Sequence, residues 1–310
     1  MLEDGGATPG RGPTREKSST IHGTRPRMIA FLGMGLLGSS FVRALRRRGE
    51  DVRVWNRSPD RARALSAFGA QAFDDVAEAV SGATRVHLTL SDDAAVDDVL
   101  ERARPGLEKT VTLVDHTTTS ATGTAERAAR WAARGVAFQH APVFMGPKNA
   151  LDGTGFMIAS GERARFEALE PHLSKMTGKL IYLGPEPERA AGMKLVGNLF
   201  TISMMSAVYD MLALAKALGI PAADATSLFD WYNPGATLPA RSKSVLAKGF
   251  KEPSWELAMA RKDTRLMLEE AERGGAPLKL LPVIAKEMDR WIEMGHGKED
   301  WTVLASDVVG

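Results

Sequence analysis

The chain has 310 residues, of which 44% are hydrophobic and 25% are charged, which is typical of a globular protein with room for two domains. The formal net charge of only +2 argues against nucleic acid as a partner. The absence of cysteine excludes disulfides, thiolate nucleophiles and cysteine-based metal sites, and the six histidines show no metal-binding spacing, so we expect no metal.

The N-terminal segment, residues 1–26, is rich in Gly, Pro, Ser, Thr and Arg and has almost no large apolar residue. This composition predicts a disordered tail, and it lacks the apolar stretch of a secretory signal. The most apolar later segment, residues 195–208, is interrupted by Asn198 and is short for a bilayer span. We therefore expect a cytoplasmic protein without a membrane partner.

A glycine-rich turn follows the first predicted strand, residues 28–32, and precedes a predicted helix over residues 39–48. Its sequence is Gly33-Met34-Gly35-Leu36-Leu37-Gly38. In such a turn the first glycine permits a tight bend, the second lets backbone N–H groups approach a pyrophosphate, and the third brings the helix close to the strand. The pattern in this context predicts a dinucleotide site.

The end of the second predicted strand, residues 51–55, indicates which dinucleotide binds. An NAD site usually has Asp or Glu there for the ribose 2′-hydroxyl, whereas this chain has Asn56, Arg57, Ser58 and Arg61. Because a guanidinium can bind a 2′-phosphate that a carboxylate would repel, the sequence predicts NADP(H) in preference to NAD(H). The alternative is that Arg57 and Arg61 are only solvated residues at a helix end.

Strand and helix patterns alternate between residues 86 and 183. They are strands over 86–90, 110–114, 138–141, 155–159 and 179–183, and helices over 92–103, 122–134 and 162–176. This alternation predicts an α/β fold with a doubly wound parallel sheet, a Rossmann domain over residues 27–189. From residue 190 the pattern is helical alone, with helices over 190–218, 222–231, 254–273, 277–294 and 300–306. We therefore expect an all-helical substrate and oligomerisation domain over residues 190–310.

The first of these helices, residues 190–218, is apolar around most of its circumference. Such a helix is expected to be buried between two domains or two subunits, which predicts a homodimer or homotetramer. Lys194, Asn198 and Thr201 interrupt the apolar surface on one face. Because a buried ammonium is costly, Lys194 is a candidate for function; the alternative is that its side chain extends to solvent near the start of the helix.

Five motifs in this order resemble the β-hydroxyacid dehydrogenase family, which includes 3-hydroxyisobutyrate dehydrogenase and to which the imine reductases are related. They are the glycine turn with Asn56-Arg57-Ser58, the segment Asp115-His116-Thr117-Thr118, the loop from His140-Ala141-Pro142-Val143 to Gly153-Thr154, the pair Lys194 and Asn198, and Lys262-Asp263 followed by Gly295, Gly297 and Asp300. Tyr232-Asn233-Pro234 also resembles a segment of the family's helical domain. The resemblance covers residues 28–304.

The resemblance implies a reductase or dehydrogenase in which hydride passes between a nicotinamide and a carbonyl or hydroxyacid substrate. Lys194 would be the general acid or base, and Asn198 would hold Lys194 or the substrate oxygen. Leu90, Ser91 and Lys262 would contact the cofactor, and Thr118 would contact the nicotinamide ribose of the cofactor or the substrate. The substrate would contact residues of three segments: Thr117, Phe144-Met145-Gly146 and Trp231-Tyr232.

The substrate loop departs from the family pattern. Phe144 and Met145 stand where the family has a serine and a glycine that grip a substrate carboxylate. Either Lys148 or another cation replaces that contact, or the substrate is larger and less polar. Trp231 and Tyr232 are either walls of such a pocket or core residues. Reduction of a cyclic imine and a non-catalytic dinucleotide-binding role are the alternative functions, although the imine reductase branch typically lacks the lysine.

Overall fold

The computed structural model describes residues 1 and 28–309, so the predicted tail lies almost entirely outside the described residues. The chain divides into two compact units, Met1–Leu195 and Val196–Gly310. The division falls inside one long helix, and each unit is described separately below.

Six parallel strands form the main sheet of the first unit. They are β1 (Ile29–Leu32), β2 (Val52–Trp55), β3 (Gln71–Phe73), β4 (Arg85–Leu88), β5 (Thr112–Asp115) and β6 (Ala137–His140). Their order in the sheet is β3-β2-β1-β4-β5-β6, and every neighbouring pair is parallel. The direction of winding therefore reverses between β1 and β4, and ligands of such sheets bind at the carboxyl ends of the strands beside that point.

Seven helices belong wholly to the described part of this unit. They are α1 (Leu36–Arg47), α2 (Pro59–Arg63), α3 (Val76–Val80), α4 (Asp93–Ala103), α5 (Ala121–Ala133), α6 (Pro147–Asp152) and α7 (Arg163–Leu173). Asp92 and Ser120 begin α4 and α5, and each side chain accepts a hydrogen bond from a backbone N–H of the first turn. Alternate residues of β1 enter two apolar clusters, with Phe31 in one and Leu32 in the other, so the sheet is covered on both faces. The predicted α/β class is confirmed.

The last strands of this unit form a second sheet rather than extending the first. It contains β7 (Val143–Phe144), β8 (Phe156–Ala159) and β9 (Lys179–Tyr182), with β7 antiparallel to β8 and β8 parallel to β9. Only two residues, Ala141 and Pro142, separate β6 from β7, which is far too few for the crossover that a parallel neighbour requires. The expectation of one continuous sheet through residue 183 is therefore wrong.

The remaining helices are α8 (Arg189–Ala217), α9 (Ala222–Trp231), α10 (Leu238–Leu246), α11 (Leu257–Arg273) and α12 (Leu281–Trp291). In the second unit a small apolar core includes Leu257, Met288 and Trp291. The carboxylate of Asp210 accepts backbone N–H groups at the start of α12, including that of Leu281 at 2.9 Å. The last predicted helix is instead a short 3₁₀ segment, Trp301–Ala305.

The single chain does not bury the apolar surface of α8. Leu199 and Ile202 are each 67% exposed, and other apolar side chains of this helix are similarly open. The prediction that the helix is buried is therefore not met by one chain alone. By length and composition, α8 is also the one described helix that could cross a membrane, so the sequence argument from a short segment does not hold.

Candidate functional site

Close packing explains the glycine turn between β1 and α1. Gly33 has a φ of +98°, and a Cβ there would lie 2.2 Å from the carbonyl oxygen of Thr89. A Cβ on Gly38 would lie 2.0 Å from the carbonyl oxygen of Gly33. A Cβ on Gly35, in contrast, would meet no atom within 4 Å. The outer glycines are thus required by the fold, whereas the middle one borders open space.

The N-terminus of α1 has the features of an anion-binding site. Gly35 begins this helix, and no side chain caps its first turn. Backbone N–H groups of a first helical turn have no partner within the helix and carry the positive end of its dipole. The Asn56 side chain fixes the approach to the helix, because its Oδ1 accepts from the Met34 N–H at 2.8 Å and its Nδ2 donates to the Ser58 carbonyl at 3.0 Å.

Beside this turn lies a cleft of about 330 Å³, which we call the basic pocket. It is lined by Gly33, Gly35, Trp55, Asn56, Arg57, Ser58, Arg61, Thr89, Leu90, Ser91, Ala95, Asp98, Val99 and Arg102. Arg57 and Arg61 are exposed, and within the described part of the chain neither has a recorded hydrogen bond or ion pair. Both guanidinium groups are therefore available to an anion.

Two charged lining residues of the basic pocket, Asp98 and Arg102, were not predicted. The Arg102 guanidinium lies over the Trp55 ring, 5.1 Å from its centroid, and 3.6 Å from the Asp98 carboxylate. Both residues come from α4, which follows β4, the neighbour of β1. In the sequence these two residues are only charged positions on one face of a predicted helix. The strand order is needed to place that helix beside β1 and its glycine turn.

A second cleft, of about 350 Å³, lies on the other side of the glycine turn; we call it the lysine pocket. It is lined by Gly35, Leu36, Leu37, Gly38, Thr89, Leu90, Ser91, His116, Thr117, Thr118, Val143, Met145 and Lys194. Four of these residues, Gly35, Thr89, Leu90 and Ser91, also line the basic pocket. All of them belong to the first unit, so the two clefts adjoin one another within it.

Lys194 is buried, with 8% of its surface exposed. Its Nζ lies 4.2 Å from the centroid of the Phe144 ring, and no hydrogen bond or ion pair to it is recorded among the described residues. Burial lowers the pKa of this ammonium. The structure thus excludes the alternative in which the Lys194 side chain extends to solvent.

The segment after β5 is held by its own polar groups. The Thr117 N–H donates to Asp115 Oδ1 at 2.9 Å, and the Thr117 hydroxyl accepts from the Leu90 N–H at 3.0 Å. Thr117 is buried, so its hydroxyl serves the loop that carries Leu90 and Ser91. Thr118 is exposed and borders the lysine pocket. Burial raises the pKa of Asp115.

Three buried histidines lie beneath this segment. His116 Nδ1 is 2.7 Å from the Ala141 carbonyl oxygen and must donate to it, so the Nε2 of neutral His116 accepts from His87 Nδ1 at 3.0 Å. His140 Nε2 lies 2.9 Å from the Thr117 carbonyl. Burial lowers the pKa of all three, that of His116 to about 4. His116 therefore stays neutral, and both of its nitrogens are occupied by the fold.

Three other expected site residues of the first unit, Met34, Phe144 and Gly146, line neither cleft. Gly146 begins α6, and its N–H donates to Asn149 Oδ1 at 3.0 Å. In the second unit, Asn198 is half-buried on α8, one helical turn after Lys194, and Lys262 forms an ion pair with Asp263 at 2.8 Å. Trp231 and Tyr232, also in the second unit, are 76% and 53% exposed. The functions expected for these residues remain predictions.

A dinucleotide fits the residues that are present. Gly35 leaves space for the pyrophosphate at the first turn of α1, and the two clefts meet there, one lined by residues that follow β2 and the other by residues that follow β5. This combination of sheet, glycine turn and adjoining clefts defines a dinucleotide-binding protein of the Rossmann class.

Comparison with known proteins identifies the family. A family model described as the NAD binding domain of 6-phosphogluconate dehydrogenase matches residues 28–184, more than half of the chain. The chain belongs to this family and, within it, to the β-hydroxyacid dehydrogenase type with its imine reductase relatives, as the motifs predicted. It is an NAD(P)-dependent oxidoreductase.

Two relatives match this chain over nearly the whole of their own length, and a third matches it over less than half. The uncharacterized oxidoreductase YfjR of Bacillus subtilis is 27% identical over 284 residues, which are 89% of this chain and 98% of that protein. The 3-sulfolactaldehyde reductase of Escherichia coli is 25% identical and covers 90% and 95%. The human cytokine-like nuclear factor N-PAC is 31% identical over 77% of this chain, but the match spans only 44% of N-PAC. Among solved structures, the imine reductase from Myxococcus stipitatus in complex with NADP⁺ shares the fold, with a TM-score of 0.84, 19% identity, and coverage of 90% and 99%.

Proposed function

We propose that this protein is an NADPH-dependent reductase of aldehydes or ketones in which Lys194 is the general acid. The observation that carries the proposal is the buried Lys194 ammonium, which borders the same cleft as the glycine turn and has no recorded polar partner among the described residues. A charged group kept out of water without a partner costs free energy, and such groups concentrate at functional sites.

The proposed roles of the residues follow from their positions. When bound, the dinucleotide would supply the hydride that reduces the carbonyl carbon. Lys194 donates a proton to the carbonyl oxygen as negative charge develops there, and the lowered pKa of its ammonium makes it a stronger acid near neutral pH. Thr118 borders the same cleft, and buried Thr117 holds the loop of Leu90 and Ser91 beside the cofactor.

The preference for NADP(H) over NAD(H) is the second part of the proposal. The support for it is that Arg57 and Arg61 have no recorded ion-pair partner in the described chain and border the basic pocket. Two guanidinium groups can bind a 2′-phosphate through charge-assisted hydrogen bonds. The carboxylate of Asp98 in the same pocket is partly neutralised by Arg102, 3.6 Å away.

The third part of the proposal is a homodimer or homotetramer formed through α8. Its exposed apolar side chains include Leu199, Ile202 and Met205, which are 57–67% exposed in one chain. A continuous apolar surface on a helix of this length favours association, and a second copy of the chain is the partner that is always present. We propose no membrane or nucleic acid partner.

One experiment separates carbonyl reduction from the alternatives. NADPH oxidation is measured with a panel of semialdehydes, neutral ketones and cyclic imines. We expect turnover of carbonyl compounds without added amine. Turnover of the imines alone would replace the proposal with an imine reductase, for which the shared fold of the imine reductases is the supporting observation. Tight NADPH binding without turnover of any substrate would favour a non-catalytic dinucleotide-binding protein.

A further inference from the structure

The aromatic ring of Phe144 is the immediate neighbour of the Lys194 amine. Nζ lies 4.2 Å from the ring centroid, well within the distance of about 6 Å at which a ring quadrupole attracts a cation. Only 8% of Lys194 is exposed, it borders the lysine pocket, and no hydrogen bond or ion pair to it is recorded in the described chain, so the ring stabilises the ammonium where no opposite charge does. The ring therefore contributes to the position of the ammonium.

The strand that carries Phe144 sets the position of its ring. Val143 and Met145 line the lysine pocket whereas Phe144 does not, as expected for alternating side chains along β7 and the residue that follows it. Phe144 is paired with Phe156 of β8. Gly155 lets the two strands approach closely, because a Cβ there would lie 2.9 Å from the Met145 Cβ. The ring thus supports the amine from outside the substrate space.

The charges around the lysine pocket restrict its ligands. Among its lining residues, all within the described chain, Lys194 is the one cationic side chain, since His116 is neutral. Lys148 does not line the pocket; its side chain is 89% exposed and pairs with Asp152 at 2.6 Å. A substrate carboxylate in this pocket would therefore compete with the carbonyl oxygen for the same ammonium.

We propose that Phe144 is a positioning residue that holds the ammonium of Lys194 at the reacting oxygen, and that the pocket consequently takes uncharged aldehydes and ketones in preference to carboxylate-bearing ones. This inference rests on the proposed function, because it takes Lys194 as the proton donor. It goes beyond that function by naming the substrate class and a residue that acts through the lysine.

The first test measures the lysine itself and needs no activity. The pKa of Lys194 is followed by ¹³C NMR of labelled lysine, with its signal assigned from its absence in Lys194→Met. Phe144→Leu keeps an apolar side chain but removes the ring, so the pKa should fall by about 0.5 to 1.5 pH units. Phe144→Tyr keeps the ring and should leave the pKa near that of the parent. An unchanged pKa in Phe144→Leu, or an equal shift in both variants, would overturn the role of Phe144. Phe144→Met replaces Phe144→Leu if the latter does not fold.

The second test uses a matched pair of substrates, levulinate and ethyl levulinate, which carry the same ketone with and without a carboxylate. With NADPH, kcat/KM for the ester should exceed that for the acid by at least about tenfold, equivalent to about 1.4 kcal/mol. In Phe144→Leu, kcat for the ester should fall by a larger factor than KM rises. Because the pKa of Lys194 is lower in this variant, the loss of activity with rising pH should begin at a lower pH than in the parent. An equal or reversed ratio would overturn the substrate preference. If neither these ketones nor the aldehyde pair, succinic semialdehyde and its methyl ester, is reduced, the proposed function fails, and the NMR titration alone decides the role of Phe144.

Discussion

Replacing Lys194 with methionine removes the proposed proton donor while changing little else. The substitution breaks no recorded hydrogen bond or ion pair of the described chain, and its main loss is the contact between Nζ and the Phe144 ring. A methionine of similar length fills the same space, and its sulfur also packs well against aromatic rings. Because a buried ammonium is removed as well, we expect the free energy of unfolding to stay within about 1 kcal/mol of the parent.

The effect on catalysis should be far larger than the effect on folding. A positioned general acid contributes about 10²- to 10⁴-fold to a rate, which corresponds to about 2.7 to 5.4 kcal/mol of the activation barrier. The glycine turn and the basic pocket retain all their residues, so the Kd for NADPH should change by no more than about twofold to threefold. Lys194→Met should therefore lose kcat and keep the cofactor.

The assay is single-turnover NADPH oxidation at saturating substrate, with NADPH binding measured separately by fluorescence titration. Lys175→Met, at an exposed lysine of the same unit, is the matched control and should keep full activity. Lys194→Arg keeps a positive charge, but its guanidinium does not release a proton near neutral pH, so it should remain inactive. A Lys194→Met variant that retains kcat within tenfold of the parent would refute the assignment of Lys194 as the proton donor. A parallel loss of NADPH affinity would instead make it a cofactor-binding residue.

Three further predictions concern other parts of the chain. Replacing Arg57 and Arg61 by alanine should raise the Kd for NADPH about tenfold to hundredfold and leave that for NADH unchanged by calorimetry; equal effects would contradict the 2′-phosphate site. The pKa of His116 is about 4 in the folded chain and about 6.5 when unfolded, so the unfolded state binds more protons and stability falls as the pH drops between these values. Urea titrations should show a loss of about 3 kcal/mol from this residue, absent in His116→Gln; a parent whose stability is flat over this range would contradict it. The parent should be dimeric or larger by light scattering at micromolar concentration, and Leu199→Glu should shift it toward the monomer, whereas a monomeric parent would refute assembly through α8.

Local sequence patterns predicted most of the fold, and its short elements escaped them. The strand, glycine turn and helix around residues 28–48 are encoded by neighbouring residues, so their bounds agree with β1 and α1 to within a few residues. The region from Pro59 to Val80 contains α2, β3 and α3, each of three to five residues, which is too short for a helical or strand periodicity to emerge. Pairing partners cannot be read from periodicity either, and this is why β8 and β9 were expected in the main sheet.

The site shows the same difference between local features, which the sequence predicted, and contacts between distant segments, which it did not predict. The roles of Gly33 and Gly38 depend on atoms close in sequence or on the adjacent strand end, and the glycine pattern predicted the turn. The contact between Phe144 and Lys194 and the bond between His87 and His116 depend on how distant segments pack. The sequence could therefore nominate Phe144 as a departure in the substrate loop, but it could not show that the ring contacts the amine.

Hydropathy predicts that Lys194 of α8 is exposed and Leu199 is buried, but the single chain shows the opposite. Lys194 is 8% exposed, whereas Leu199, about one and a half turns later, is 67% exposed. Each state opposes the stability of a single isolated chain, since a desolvated ammonium and an uncovered leucine both cost free energy. Hydropathy predicts which side chains favour burial, but it does not predict which surface covers them. A chain selected only to fold as a monomer would be expected to have neither feature, so we attribute the first to the proposed chemistry of Lys194 and the second to the proposed assembly through α8. The two attributions stand independently, because Lys194→Met tests one and Leu199→Glu tests the other.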